Sequence, residues 1–129
     1  MAVKVYKVKT NTQNHQNRLD VIDNGKPIDV SEPTTIVWYL DFDGGTFNAV
    51  DGTSTSGFLW PTDTKPTGFG AATLAPGDQV LTIVDDASDK GDFIYQLNAT
   101  VNVNGVNTNF STTFSSPGAT MNNPTIKNT

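Results

Sequence analysis

The sequence predicts an all-β fold: a single two-sheet antiparallel sandwich, immunoglobulin-like in class and without a disulfide. β-Branched and aromatic residues, which favour strands, make up 49 of the 129 residues. Good helix formers are scarce, and Glu32 is the one glutamate in the chain. Short apolar runs recur between turn signals at the spacing of about 8–12 residues that is typical of sandwiches.

Length and composition narrow the possible functions. The 129 residues suffice for one domain, 1–129, with its own core. The absence of cysteine excludes disulfides, thiol catalysis and cysteine zinc sites. A net charge of −5 and a pI near 4.4 predict no nucleic-acid partner, because phosphate contacts need basic side chains. Nothing in the composition indicates a cofactor.

The sequence also predicts no membrane segment. The N-terminal residues include lysines but lack the apolar stretch of a secretory signal. The longest apolar run, Ile36–Leu40, is far too short for a bilayer span. We therefore expect a cytoplasmic protein by default, while the lack of cysteine fits an exported chain equally well.

Nine strands are predicted from apolar runs between turn signals. In chain order they are 2–9, 18–22, 28–30, 34–40, 46–50, 57–60, 79–84, 92–103 and 106–114. The polar residues 10–17 are predicted to form a loop after the first strand. Asn24-Gly25, a dipeptide that tolerates positive φ, ends the second strand in a tight turn.

The first strand changes the parity of its apolar residues. Val3 and Val5 share one face, whereas Tyr6 and Val8 share the other. This change predicts a bulge, or a change of sheet, between Val5 and Tyr6.

The middle of the chain contains one regular strand and one irregular segment. Strand 34–40 is apolar on both faces, which predicts a central position in its sheet. The short strand 28–30 follows Pro27 and is predicted to lie at an edge. Residues 43–72 are interrupted by glycines and prolines, so only two short strands are assigned within them.

The strongest periodic signal is the strict alternation of apolar and polar side chains in residues 92–103. Asn104-Gly105 then predicts a tight hairpin that returns the chain into 106–114. Upstream, Ala75-Pro76-Gly77-Asp78 has the signature of a turn that leads into strand 79–84. The tail, 117–129, is predicted to lie along a sheet edge.

The segment Asp89–Tyr95 resembles the Asp-x-Gly-x-Tyr-x-Cys segment that enters strand F of immunoglobulin domains. Phe93 stands at the tyrosine position and Tyr95 at the cysteine position. The tyrosine-corner hydrogen bond and the inter-sheet disulfide are therefore both missing. The resemblance implies that Trp38 is the buried tryptophan of strand C. Its position in the most apolar strand, opposite the strongest alternating strand, predicts that it contacts Tyr95 or Leu97.

The layout also resembles the small, uncharacterised bacterial DP-EP family, which is named after its Asp-Pro and Glu-Pro dipeptides. Glu32-Pro33 precedes the strand that contains Trp38, and an Ala-Pro-Gly-Asp turn and a Gly-x-Phe-x-Tyr segment follow. Asn123-Pro124 stands where the family has Asp-Pro. The resemblance covers most of the chain and implies a sandwich fold but no activity.

Residues that could carry catalysis or bind metal are few. The two acidic segments, Asp41-Phe42-Asp43 and Asp85–Asp89, lack the six or more fixed oxygens that calcium needs, so ordinary turns are favoured. His15, the one histidine, lies in a polar loop. We predict no catalytic residue, no metal site and no enzymatic activity.

The predicted recognition residues are the aromatic side chains of segment 43–72. They are Phe47, Phe58, Trp60 and Phe69. Exposed, they would form a platform for a sugar or a protein partner; covered, they would form a small core beneath their own loop. Burial against a second subunit is a third interpretation.

Three functions follow from these observations. The first is a non-enzymatic structural or interaction module that self-associates or binds a protein partner. The second is a module that binds a carbohydrate or another small ligand. A metal-dependent or hydrolytic enzyme ranks last, because the sequence nominates no pair of catalytic side chains.

Overall fold

The computed structural model describes residues 1–13, 16–61, 65–113 and 123–129. These residues form an all-β fold. Its strands are β1 (Ala2–Asn11), β2 (Arg18–Val21), β3 (Ile28–Val30), β4 (Thr34–Leu40), β5 (Gly45–Phe47), β6 (Phe58–Leu59), β7 (Thr73–Leu74), β8 (Val80–Asp85), β9 (Gly91–Ile94), β10 (Gln96–Val103), β11 (Val106–Ser111) and β12 (Thr125–Asn128). Within the described part of the chain, no helix has the length and apolarity to cross a membrane.

The strands form one large sheet and one small sheet. The large sheet has the order β5-β10-β11-β2-β1-β4-β8-β7, and β6 also pairs with β10. The small sheet has the order β3-β12-β9. Strand β3 therefore lies at an edge, as predicted.

Strand pairing is mixed, so the prediction of a purely antiparallel fold is wrong. Strand β1 runs parallel to β4, and β12 runs parallel to β3. A single residue pair, Ser111 and Arg18, also joins β11 to β2 in parallel. Turn signals in the sequence reveal only strands that are joined by short hairpins, and such strands are antiparallel. The parallel neighbours are far apart in the sequence, so no turn signal indicates their pairing.

Strand β4 is central, as predicted, and its bounds match the prediction. It pairs with β1 on one side and with β8 on the other. Ile36, Trp38 and Leu40 are buried on one face, while Val37 and Tyr39 on the other face are half-buried. Both faces of the strand are apolar in sequence because neither face is fully open to water.

The predicted irregularity between Val5 and Tyr6 is wrong. The pairing of β1 with β4 is continuous from Ala2 to Val8. Tyr6 and Val8 point toward the core, whereas Val3 and Val5 are exposed. The parity change therefore reflects valines on the outer face, and the strand continues to Asn11, into the predicted loop.

The long predicted strand 92–103 is divided in the structure. Strand β9 belongs to the small sheet and β10 to the large sheet, and Tyr95 lies between them. The Tyr95 N–H donates to the carbonyl of Pro124, 3.1 Å away. Side-chain alternation continues through this point, so the period alone did not reveal the change of sheet.

The predicted edge position of the tail is also wrong where the structure describes it. Strand β12 lies between β3 and β9 and is the central strand of the small sheet. Residues 114–122 are outside the described residues. Residues 125–128 have few apolar side chains, which made the strand look peripheral in sequence.

Turn chemistry was predicted well. Asn104 and Gly105 both have positive φ, at 52° and 84°, and connect β10 to β11. The turn at Ala75–Asp78 closes with a 3.0 Å hydrogen bond from the Asp78 N–H to the Ala75 carbonyl. In segment 43–72 the two short strands are shorter than predicted, and β7, just after it, was not predicted.

The core is centred on Trp38 and Tyr95, both fully buried. The Trp38 Nε1–H donates to the Tyr95 hydroxyl at 3.2 Å, and the ring centroids lie 5.1 Å apart. The predicted contact between them is confirmed. Side chains from both sheets join the same buried cluster, among them Ile36 from the large sheet and Ile126 from the small one.

We expect Trp38→Ala to lower the free energy of unfolding by about 3–5 kcal/mol, because it empties a large buried site and leaves the Tyr95 hydroxyl without its donor. The measurement is a urea denaturation midpoint. Val106→Ala, at a side chain that is 63% exposed, is the control and should change stability little. Equal midpoints for the two variants would contradict the assignment of Trp38 to the core.

Candidate functional site

A row of aromatic rings extends from the core to the surface of segment 43–72. Trp38 packs on Phe58 at a centroid distance of 5.6 Å. Trp60 then meets Phe58 at 5.0 Å and Phe69 at 4.9 Å, in both cases edge to face. Phe69 continues the row to Phe93, at 5.6 Å. Such pairs stabilise their arrangement beyond simple burial.

Each end of the segment that carries Trp60 is held by a different strand. At one end, β6 pairs with β10 through Phe58 and Leu97. At the other end, Phe69 forms a bridge with Asp85, the last residue of β8. Trp60 therefore sits between two fixed points.

Close packing of backbone supports the β6 end. A Cβ atom on Gly57 would lie 2.1 Å from the carbonyl oxygen of Asn48, so only glycine fits there. The buried Asn98 side chain donates to the Ser56 carbonyl at 2.8 Å. The close approach to Asn48 explains why position 57 requires a glycine, which the sequence alone indicates only as an interruption of the strand pattern.

The structure brings together three of the four predicted recognition residues. Phe58, Trp60 and Phe69 form the middle of the row, whereas Phe47 lies apart, opposite Ala99 of β10. Phe47, Phe58 and Phe69 are buried within the chain, and Trp60 is half-buried. Of the four, Trp60 is therefore the side chain that solvent reaches most easily.

Trp60 and Phe58 line a groove of about 400 Å³. Buried Ile83 and half-buried Ala72 contribute apolar surface, and Val50 lies at an exposed position. The remaining lining residues are Gly52, Thr53, Ser54, Leu59, Lys65, Gly70 and Ala71. The volume falls within the range of about 300–1,000 Å³ that is typical of small-molecule sites.

A few polar groups accompany this apolar surface. Lys65 is the one ionisable side chain among the lining residues that the structure describes, and Thr53 and Ser54 add hydroxyl groups. Next to the groove, the Thr53 hydroxyl and N–H donate to Asp51 and lower the pKa of that exposed carboxyl. The groove can therefore offer hydrogen bonds and one positive charge to a ligand.

The acidic segments have ordinary local roles. Asp41 forms an ion pair with Lys9 at 3.1 Å. Hydrogen bonds from the Ser88 side chain and from the Ser88 N–H lower the pKa of the exposed Asp86 carboxyl. Asp89 accepts from the Thr67 N–H at 3.2 Å. Among the described residues, no group of three acidic, histidine or cysteine side chains could hold a metal ion. His15 lies outside them.

A second cavity, of about 640 Å³, lies beside β2. Charged side chains line part of it, including Asp23 and Lys26. Its wall also includes Thr112 and Asn123, which flank residues 114–122, outside the described chain. We take the groove at Trp60 as the candidate site, because two of the predicted recognition residues, Phe58 and Trp60, line it.

Several lining residues of the groove were missed in the sequence. Ile83 belongs to β8, and Lys65, Ala71 and Ala72 had no motif that pointed to a site. Phe93 was noted for its position in the immunoglobulin-like segment, without any link to Phe69. Only the aromatic clustering of 43–72 signalled this region.

We expect calcium to have no effect on thermal stability, because the described acidic side chains do not converge on a shared site. The measurement is the Tm in millimolar calcium and in EDTA. Selective binding to the native state would raise the Tm. A rise of several degrees with calcium would show this expectation to be wrong.

Comparison with known proteins adds no functional information. No protein-family model and no curated protein matches the chain. The groove and the half-buried Trp60 at its wall are therefore the features from which a function can be inferred.

Proposed function

We propose that the protein is a non-enzymatic interaction module that binds a small ligand in the groove beside Trp60. The observation that carries the proposal is the pairing of a concave apolar surface with a half-buried tryptophan and a few polar groups. Binding sites for small molecules have this combination, in which apolar walls give affinity and a few polar groups fix orientation.

The support of Trp60 favours a preformed site. Its ring is held between Phe58 and Phe69, which are themselves buried. A ring fixed in this way loses little conformational freedom when a ligand packs against it. A fixed Trp60 ring therefore makes the groove better suited to ligand binding than a mobile ring would.

A binding role fits the groove better than catalysis does. General acid–base chemistry needs a proton donor or acceptor within hydrogen-bond reach of the substrate, and nucleophilic catalysis needs an activated side chain beside its base. Among the described residues that line the groove, Lys65 is the one ionisable residue. The described lining residues thus supply no such pair.

Carbohydrate is the ligand class that we propose first. A tryptophan ring can pack against the apolar face of a sugar, while the hydroxyls of Thr53 and Ser54 and the Trp60 N–H can exchange hydrogen bonds with its hydroxyl groups.

The test is a fluorescence titration with a panel of neutral mono- and disaccharides, with Tm measured in parallel. Because Trp38 is fully buried, we expect a ligand to change the emission of Trp60 and to raise the Tm. Trp60→Ala should abolish both effects. Val106→Ala, far from the groove lining, is the matched control and should retain them.

Lys65→Gln separates neutral from anionic ligands. It should leave binding of a neutral sugar unchanged and weaken binding of a uronic acid, because it removes the positive charge of Lys65 from the groove lining. If no sugar in either group alters the emission or the Tm, the carbohydrate assignment is wrong. If Trp60→Ala binds as the parent chain does, the groove is not the site.

A second candidate function is self-association, and a different surface favours it. On the outer face of the large sheet, Val3 is 62% exposed, Val5 58% and Val84 40%. The strand register places Val5 beside Val37, and Val3 and Val84 on either side of Thr35. We propose this valine face, Val3, Val5, Val37 and Val84, as the contact between copies, because exposed apolar patches mark interaction sites.

For self-association, we expect Val5→Lys to shift the chain from dimer to monomer without unfolding it, because an unpaired charge would be desolvated in the contact. Sedimentation at rising protein concentration measures the shift. Val106→Lys, at the exposed first residue of β11, is the control. A parent chain that remains monomeric at every concentration would contradict this second proposal.

We also propose that the two sheets pack as an immunoglobulin-like sandwich, related to the DP-EP family. Two features support this assignment. Side chains of both sheets contribute to one buried cluster, and Trp38 packs on Tyr95, at the position where an immunoglobulin domain has a cysteine.

A further inference from the structure

Asp85 is a buried carboxyl group at the end of β8, outside the groove. Its side chain is fully buried and faces Asn128 of β12, which is 4% exposed. Oδ1 of Asp85 accepts two hydrogen bonds, from the Ala87 N–H at 2.9 Å and from Nδ2 of Asn128 at 3.1 Å. The contact joins the last strand of the small sheet to the large sheet.

The orientation of the Asn128 amide is fixed by its partners. Nδ2 donates to Asp85 Oδ1 and also to the carbonyl oxygen of Asp89, at 2.9 Å. Both partners are acceptors, so a flipped amide would bring its oxygen against two other oxygens. The Oδ1 atom of Asn128 must therefore point away from them.

Two oxygens of this pair are left without a partner. Oδ2 of Asp85 and Oδ1 of Asn128 are both buried and neither forms a hydrogen bond. If Asp85 were ionised, both atoms would be acceptors and could not satisfy each other. A buried acceptor without a donor is unfavourable, and a carboxylate oxygen is the more unfavourable case.

One proton resolves both defects. A carboxylic acid and a carboxamide are complementary, because the acid donates from O–H while its other oxygen accepts from the amide N–H. Asp85 already accepts from the amide in this way. We propose that Asp85 is held as a carboxylic acid whose Oδ2–H donates to Oδ1 of Asn128, forming a pH-sensitive clasp between β8 and β12.

The surroundings act on this proton in opposite directions. Burial raises the pKa of Asp85 most strongly, and the nearby carboxylate of Asp86 raises it further. The hydrogen bonds from Ala87 and Asn128, and the charge of Lys90, lower it, but the net direction is upward. Asp89 is the other charged residue at the pair, and it faces Asn128 through its carbonyl group. From β4, the residue opposite Asp85 is the uncharged Thr34.

The sign of the pH effect follows from the raised pKa. The folded protein binds this proton more tightly than the unfolded chain, in which an aspartate has a pKa of about 3.9. The stability from the clasp is therefore complete below that pH and is lost as the pH rises through the folded-state pKa. One proton changes the unfolding constant by up to about tenfold per pH unit within this window.

The test compares the parent chain with Asp85→Asn from pH 4 to pH 9 by urea unfolding. An asparagine at this position imitates the protonated acid, because its amide can donate to Asn128 Oδ1 at every pH. We expect the unfolding constant of the parent chain to rise relative to that of Asp85→Asn as the pH increases. Asp43→Asn, a variant at an exposed aspartate outside this contact, should retain the pH dependence of the parent chain.

A constant ratio between the parent chain and Asp85→Asn across this range would overturn the proposal. A water molecule that bridges the two oxygens would give this result, because it leaves Asp85 ionised. If Asp85→Asn does not fold, carbon-13 NMR of the parent chain decides, through the chemical shift of the Asp85 carboxyl carbon. We expect it to remain protonated where the exposed aspartates have ionised; ionisation together with them would overturn the clasp.

Discussion

The contact between Trp38 and Tyr95 is the constraint on which the rest of the fold depends. Tyr95 occupies the point where the chain passes from the small sheet to the large one, and its hydroxyl accepts from the Trp38 indole. Burial raises the pKa of the Tyr95 phenol, so its ring stays neutral in the core. The same ring stacks on Phe58 at 5.8 Å, which ties the change of sheet to the segment that carries Trp60.

Local patterns in the sequence predicted what is decided locally. Strand 34–40 was predicted with its observed bounds, because it contains the uninterrupted apolar run Ile36–Leu40, which lies between Pro33 and Asp41. The Asn104-Gly105 turn was predictable because both residues tolerate positive φ. By contrast, nothing local shows that 92–103 changes sheet at Tyr95, or that β1 and β4 are parallel, because both depend on partners far away in the chain.

The candidate site likewise depends on contacts between distant parts of the chain, which local sequence patterns do not reveal. The aromatic composition of 43–72 pointed to the right region, yet it could not distinguish Trp60 from its neighbours. Phe58 and Phe69 are buried because β10 and β8 hold their backbones, and Trp60 remains half-buried because it lies between those two anchors. Exposure here is decided by strand pairing, whereas the sequence reports only side-chain type.

The groove and the buried carboxyl are connected through one short stretch of backbone. Phe69 and Asp85 form the bridge that anchors the far end of the Trp60 segment, with hydrogen bonds from the Asp86 N–H to the Gly68 carbonyl and from the Gly70 N–H to the Val84 carbonyl, both 2.9 Å. Within this bridge, the ring of Phe69 packs against Trp60, and the side chain of Asp85 accepts a hydrogen bond from Asn128 of β12. Segment 43–72 therefore relies on apolar packing at β6 and on a polar contact at β8. The residues that line the groove lie between Val50 and Ile83, and the bridge between Phe69 and Asp85 connects them to Asn128 near the end of the sequence.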